Sequence, residues 1–156
     1  MTSPKKENKP RRPLGRNVGP LVETETDVLV CYRDTDQMGC VYYANYLVYF
    51  EMARTDFLRQ LGYSYRSCEK SGIFLPASEA TCKYHAPARY DDLLRVHTRV
   101  VRWTVAAIDF EYECRRVEDN ELIVTGSTRH VFTDKEGRIN RTGGKFVAEQ
   151  LTKWDK

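Results

Sequence analysis

The chain has 156 residues, of which 41% are hydrophobic, and both values suit one globular domain. Its longest apolar runs are only a few residues, far below the roughly 20 that a membrane span requires. The formal net charge is +3, but residues 1–20 hold six Lys and Arg against Glu7 alone. The other residues therefore sum to −2, which argues against a nucleic-acid-binding surface.

The basic segment at residues 1–20 contains four prolines and no hydrophobic run, so we expect a disordered tail. It has no apolar h-region after its basic residues and is not a secretory signal. A contact with a membrane surface or a partner stays open beside the simpler interpretation, a solvated leader. The folded domain is predicted to span residues 21–156.

Five cysteines without a C-x-x-C motif indicate reduced thiols and a cytoplasmic location. The three histidines are scattered and lack metal-ligand spacing, so neither a metal nor another cofactor is predicted.

Residues 23–32 alternate loosely and predict a strand, and the polar residues 34–39 that follow predict a loop. A helix of about 16 residues comes next, with Asn45 expected to cap its start and Gly62 to end it. Its apolar stripe has helical spacing and consists of Tyr46, Phe50, Ala53, Phe57 and Leu61.

The rest of the chain is strand-like. Strands are predicted over residues 74–84, 94–100, 106–114 and 122–133. The pair Gly143-Gly144 is expected to end the sheet, and residues 146–151 to add a short helix. The order predicts an α+β fold in which one long helix packs on a roughly five-stranded antiparallel sheet. Such a sheet leaves a face and its edges open, which favours dimerisation through the edges or the helix.

Two carboxylates, Asp34 and Asp36, stand in the loop just before the long helix. Free N–H groups at a helix start stabilise negative charge and can hold the oxyanion that develops on an acyl carbonyl. A carboxylate in the same cleft can attack that carbonyl or activate water. The alternative is a capping loop in which both Asp residues satisfy backbone N–H groups.

Three segments resemble the acyl-CoA thioesterases of the 4-hydroxybenzoyl-CoA thioesterase and Tol–Pal-associated thioesterase group. They are residues 34–55, which contain DTDQMGCVYYANYL and FEMART, residues 82–94, CKYHAPARYDDLL, and residues 126–134, GSTRHVFTD. The resemblance covers about residues 25–142. It implies a hotdog fold, in which an antiparallel sheet wraps a long helix, and a homodimer or homotetramer formed by joining sheets.

The resemblance also implies roles for three residues. The catalytic carboxylate falls on Asp36, the oxyanion-binding backbone N–H on Tyr43, and a supporting tyrosine on Tyr32. Tol–Pal-associated members commonly carry His where this chain has Tyr43, so substrate preferences of His-bearing relatives do not transfer. The backbone donor is insensitive to that change.

Other candidates have simpler interpretations. Cys40 lies four residues after Asp36, but no local His is present to activate it, so we expect a buried small residue. His130 is expected to be a hydrogen-bonded core or pocket residue. Arg89 is expected to pair with Asp34 or with the acidic step at 91–92, which suits a turn. Other arginines are candidates for binding the phosphates of coenzyme A, and they are Arg99, Arg102, Arg129, Arg138 and Arg141.

The sequence therefore predicts an acyl-CoA thioesterase that uses Asp36 as nucleophile or general base. One alternative is a non-catalytic module that binds acyl thioesters or acyl-carrier protein. A second is a hotdog hydratase or dehydratase, which the absence of His from residues 32–61 disfavours.

Overall fold

The computed structural model describes residues 22–154; the predicted tail at residues 1–20 lies outside them. The elements, in chain order, are β1 (Glu23–Leu29), a 3-10 turn (Tyr32–Asp34), α1 (Asn45–Gln60), α2 (Tyr65–Lys70), β2 (Ala77–Tyr84), β3 (Leu93–Trp103), β4 (Ala107–Arg116), β5 (Leu122–Val131) and α3 (Arg141–Thr152). The five strands form one antiparallel sheet in the order β1-β3-β4-β5-β2. The predicted layering is confirmed.

Helix α1 packs its apolar stripe against one face of this sheet. Phe50, Ala53 and Phe57 are completely buried. The Phe50 ring stacks on Tyr112 of β4, with ring centroids 4.3 Å apart, and the Phe57 ring meets Phe110 edge-on. Alternate residues of the central strands supply the facing side of the core because successive side chains point to opposite faces.

The opposite face of the sheet is covered by charge pairs across neighbouring strands. Arg95 donates to both carboxylate oxygens of Asp27, at 2.7 and 2.9 Å, and Arg129 does the same to Asp109, at 2.7 and 2.8 Å. A face that is polar and charge-compensated does not need another layer to cover it. The open parts of the sheet are therefore its edges, β1 and β2.

The ends of α1 differ in how well the sequence predicted them. Gly62 ends the helix as expected, with φ of +88° and a hydrogen bond from Tyr63 N–H to Leu58 C=O. Asn45 was predicted to be the cap, which is wrong. Ala44 occupies that position, and Asn45 is the first helical residue. The Asn45 side-chain amide instead donates to the backbone carbonyl of the preceding loop.

The chain after α1 departs from the sequence prediction in two places. Helix α2, which was not predicted, begins at a reciprocal pair in which Ser64 and Ser67 side chains each accept from the other's backbone N–H. Gly143 and Gly144 do not end the sheet but lie in the first turn of α3, capped by Asn140. A Cβ on Gly144 would overlap the Val105 backbone, so close packing explains the glycine there.

Candidate active site

Asp36 lies in a tight turn between the 3-10 turn and α1. Its backbone N–H donates to Cys40 C=O at 2.9 Å, and its carbonyl accepts from Gly39 N–H at 2.9 Å. Its carboxylate Oδ1 accepts from Met38 N–H at 2.9 Å. Thr35 and Val41 pair across the base of this loop, and we call residues 35–41 the acidic turn. The turn is compact because Gly39 adopts φ of +74°, a conformation that suits glycine.

The acidic turn is joined to the start of α1 on one side and to loop 88–92 on the other. Tyr42 N–H donates to Asp34 C=O at 2.9 Å, and Val41 N–H donates to Ala88 C=O at 2.8 Å. Cys40 also forms an isolated bridge with Arg89. The carboxylate is consequently held at the point where a loop, a helix start and the start of β3 converge.

The backbone at the start of α1 offers a free donor. Among residues 22–154, the Tyr43 N–H donates no hydrogen bond. The carbonyl of the same residue is occupied, because it accepts from the Tyr84 hydroxyl at 3.1 Å. Donors at a helix start carry the positive end of the helix dipole, so this position favours negative charge.

Tyrosine rings surround this donor. The Tyr42 and Tyr43 rings lie 4.6 Å apart between centroids, and the Tyr84 ring meets Tyr43 edge-on at 6.4 Å. The pKa of Tyr42 is raised, first by its hydrogen bond with the Tyr43 phenol and also by the Asp36 carboxylate. Asp36 therefore lies near enough to Tyr42 for its charge to act on the phenol of that residue.

Tyr32, the third residue of the expected site, points elsewhere. Its side chain is 78% exposed, and its ring packs edge-on against Tyr90 at a centroid distance of 5.7 Å. Its backbone carbonyl accepts from the Thr35 hydroxyl at 2.7 Å, which ties the 3-10 turn to the acidic turn. The supporting role of Tyr32 stays a prediction.

The Cys40 thiol lies 3.7 Å from Asp36 Oδ1 and is partly exposed, whereas a buried residue was predicted. None of the three histidines is hydrogen-bonded to it: His85 contacts Thr125, His97 contacts Glu23, and His130 contacts Thr128 and Leu75.

His130 is a core residue, as predicted. It is 2% exposed, and its ring nitrogens lie 3.0 Å from the Leu75 carbonyl oxygen and 3.0 Å from Thr128 Oγ1. Burial, followed by the positive charge of Arg54, lowers the pKa of His130 to about 4. It is therefore neutral at pH 7 and remote from the acidic turn along the sheet.

Most of the arginines proposed for phosphate binding have carboxylate partners. Arg99, Arg129 and Arg138 pair with Glu111, Asp109 and Asp134, respectively. These contacts favour ordinary surface pairing for the three. Arg89 was expected to pair with an acidic side chain, but within the described chain its guanidinium contacts only the Gly39 carbonyl, at 3.4 Å. The contact of Arg89 with the acidic step is made by its backbone N–H, which donates to the Asp92 carboxylate at 2.8 Å.

A groove of about 830 Å³ runs between α1 and β1 and is lined in part by Val48, Met52 and Asp56. No residue of the acidic turn lines it. Among the described residues, no three His, Cys, Asp or Glu side chains are arranged to hold a metal ion. No helix within residues 22–154 has the length and apolar character to cross a membrane.

The fold and this site define a class: an α+β domain in which one long helix packs on an antiparallel sheet, with a carboxylate in the turn that precedes this helix. Comparison with known proteins identifies the family. Residues 30–155 match the thioesterase-like superfamily, and the chain belongs to it. The predicted hotdog fold and thioester-hydrolase class are confirmed.

Several relatives are similar over most of the chain. YneP of Bacillus subtilis, a putative acyl-CoA thioesterase, is 33% identical over 72% of this chain and 81% of that protein. The acyl-CoA thioesterase YbgC of Haemophilus influenzae is 37% identical over 65% of this chain and 73% of its own length. The crystal structure of a DHNA-CoA thioesterase from Staphylococcus aureus superposes with a TM-score of 0.78 at 30% identity, covering 84% of this chain and 89% of that one.

Proposed function

We propose that the protein is an acyl-CoA thioesterase in which Asp36 is the catalytic carboxylate. One observation carries this proposal: Asp36 is fixed in a tight turn beside a helix start whose Tyr43 N–H is free within the described chain. A carboxylate and an oxyanion donor are the two groups that acyl transfer to water requires. That the substrate is a thioester is supported by membership of the thioesterase-like superfamily and by the names of the relatives.

In the proposed reaction, the thioester carbonyl oxygen accepts a hydrogen bond from the Tyr43 N–H, and this hydrogen bond strengthens as the oxyanion forms. Asp36 then acts by one of two routes. It attacks the carbonyl carbon, expels coenzyme A thiolate and forms an acyl-aspartyl anhydride that water hydrolyses. Alternatively, it takes a proton from a water molecule that attacks the same carbon, and the thiolate leaves as the tetrahedral intermediate collapses.

The alternative hydratase or dehydratase would need a His to move a proton next to the carbonyl. The contacts of His130 and His97 disfavour it. His130 is buried and neutral, and its two ring nitrogens are already hydrogen-bonded. His97 pairs with Glu23 on the charged face of the sheet, opposite α1.

The test is release of free thiol, followed with a thiol-reactive dye, from short, long and aromatic acyl-CoA substrates. We expect turnover by the wild type and a fall of at least about 100-fold in kcat for Asp36→Asn. Asp91→Asn is the matched control: it makes the same chemical change in an exposed turn where φ is +71°, which Asn tolerates. Activity of Asp36→Asn within a few-fold of wild type would refute the assignment.

Binding of acyl-CoA without turnover by the wild type would favour the non-catalytic module. In a single turnover in oxygen-18 water, label that appears in the Asp36 carboxylate would support the anhydride route, because the general-base route leaves that carboxylate unlabelled.

The open edge of β2 supports a dimer made by joining sheets. In antiparallel pairing of two copies about Thr81, Glu79 stands opposite Lys83 of the partner subunit, so opposite charges meet twice. At the end of the same strand, Tyr84 contacts the Tyr43 carbonyl, so a second sheet would flank the cleft. We expect Lys83→Glu to weaken the dimer in sedimentation experiments and Glu79→Lys with Lys83→Glu to restore it. An unchanged dimer in Lys83→Glu would exclude this register.

The five cysteines, none of them in a disulfide, are compatible with the cytoplasmic location that we propose.

A further inference from the structure

Asp34 is the residue through which the acidic turn is attached to α1. Its backbone carbonyl accepts two hydrogen bonds, from Tyr42 N–H and from the Asn45 side-chain amide, both at 2.9 Å. Its carboxylate Oδ2 accepts two more, from the Tyr49 hydroxyl at 3.0 Å and from Cys31 N–H at 3.1 Å. Three of these four donors belong to the start of α1 or to the residues just before it.

The contact with Tyr49 is the one that reaches deepest into the protein. Tyr49 is 3% exposed, and the Asp34 side chain is 18% exposed. Burial, together with the hydrogen bond to Asp34, raises the pKa of Tyr49, so its hydroxyl remains a donor. A hydrogen bond from a buried phenol to a carboxylate is charge-assisted and geometrically specific. It connects the second turn of α1 to the residue that precedes the acidic turn.

This connection matters because the two reacting groups sit on different elements. The Asp36 carboxylate belongs to the turn, and the Tyr43 N–H belongs to the backbone just before Ala44, the cap of α1. Their separation is fixed only if the turn cannot slide on the helix. A shift of about 1 Å in such a site can reduce the rate about 100-fold.

We propose that Asp34 and Tyr49 form a positioning pair that locks the acidic turn onto α1 and so sets the Asp36 carboxylate against the Tyr43 N–H. This inference rests on the proposed function. The proposal assigns neither residue a contact with the substrate. Tyr49 is 3% exposed, and its hydroxyl donates to Asp34 Oδ2, which also accepts from the Cys31 N–H.

The test compares Tyr49→Phe, Asp34→Asn and the double variant in the thiol-release assay, on the best substrate of the panel. We expect each single variant to lower kcat about tenfold or more, with KM within about twofold, because the substrate contacts remain. The double variant should lose no more than the worse single variant, since residues that act as one unit are not additive.

Tyr65→Phe is the matched control. It removes another phenol that contacts a charged group, Arg54 Nε at 2.7 Å, near the opposite end of α1. Melting temperatures of all variants, with assays run well below them, separate folding from positioning. We expect Tyr65→Phe to lower the melting temperature and leave kcat within about twofold of wild type.

Three results would overturn the inference. The first is a Tyr49→Phe enzyme with kcat within twofold of wild type, and the second is an equal loss of kcat in Tyr65→Phe. The third is full activity of Asp36→Asn, which refutes the catalytic assignment and this inference with it. An inactive Asp36→Asn beside an unaffected Tyr49→Phe refutes the positioning pair alone.

Discussion

His130 should make the stability of the protein depend on pH between about pH 4 and pH 7. Its ring is buried at the end of a chain of polar contacts that runs from Arg54 through the Tyr112 hydroxyl and the Thr128 hydroxyl. Both ring nitrogens have hydrogen-bonding partners in the folded protein. Protonating this ring would place a second cation near the buried guanidinium.

The magnitude follows from the two pKa values of His130, 6.5 for the ordinary side chain and about 4 in the fold. Because the folded pKa is the lower one, the unfolded chain binds more protons between these values, and stability falls as the pH falls. At about 1.4 kcal/mol for each pKa unit, the total loss below pH 4 is about 3 kcal/mol. Between pH 7 and pH 4.5, the free energy of unfolding should fall by about 2 kcal/mol because of His130.

Urea unfolding followed by fluorescence of Trp103 and Trp154, between pH 4.5 and pH 7, measures this effect. His130→Gln keeps a donor and an acceptor but does not titrate. Its stability should fall by about 2 kcal/mol less than that of the wild type over the same range. Carboxylates with lowered pKa, such as Asp27 and Asp134, are present in both proteins and cancel in the comparison. Equal pH dependence in both proteins would refute the reasoning.

Three further substitutions test the site and the core. Tyr43→Phe keeps the backbone donor, so kcat should stay within about threefold of wild type; a loss as large as that of Asp36→Asn would reveal a chemical role for the phenol. Gly62→Ala has open space around its Cβ but keeps φ of +88°, so it should cost about 1–2 kcal/mol in urea unfolding from backbone strain alone. Gly126→Ala brings a Cβ to 2.5 Å from the Phe50 ring and into the Thr81 carbonyl, so it should cost about 1–3 kcal/mol. Unfolding free energies within 0.5 kcal/mol of wild type would contradict either glycine argument.

The sequence alone determined the parts of this protein that depend on local pattern. The four- and three-residue spacing from Tyr46 to Phe57 predicts the buried side of α1 because a helix repeats every 3.6 residues. The alternation in β3 and β4 predicts their inner faces for the corresponding reason. Gly62 ends the helix as predicted, since few other residues adopt its conformation. The motif around Asp36 indicates the family from the sequence alone.

Only the tertiary structure decided how distant residues meet. Local pattern made Asn45 a plausible cap, but its side chain holds the carbonyl of Asp34, eleven residues earlier. Local pattern also made Gly143 and Gly144 a plausible end of the sheet. They are glycines because Ile73 and Val105 pack closely against them.

The proposed positioning pair has the same origin. Asp34 and Tyr49 are fifteen residues apart, on elements of different type. Periodicity describes one element at a time, so it predicts which face of a helix or strand is buried. The way in which those elements pack then determines which polar groups face one another, and this packing is a property of the tertiary structure.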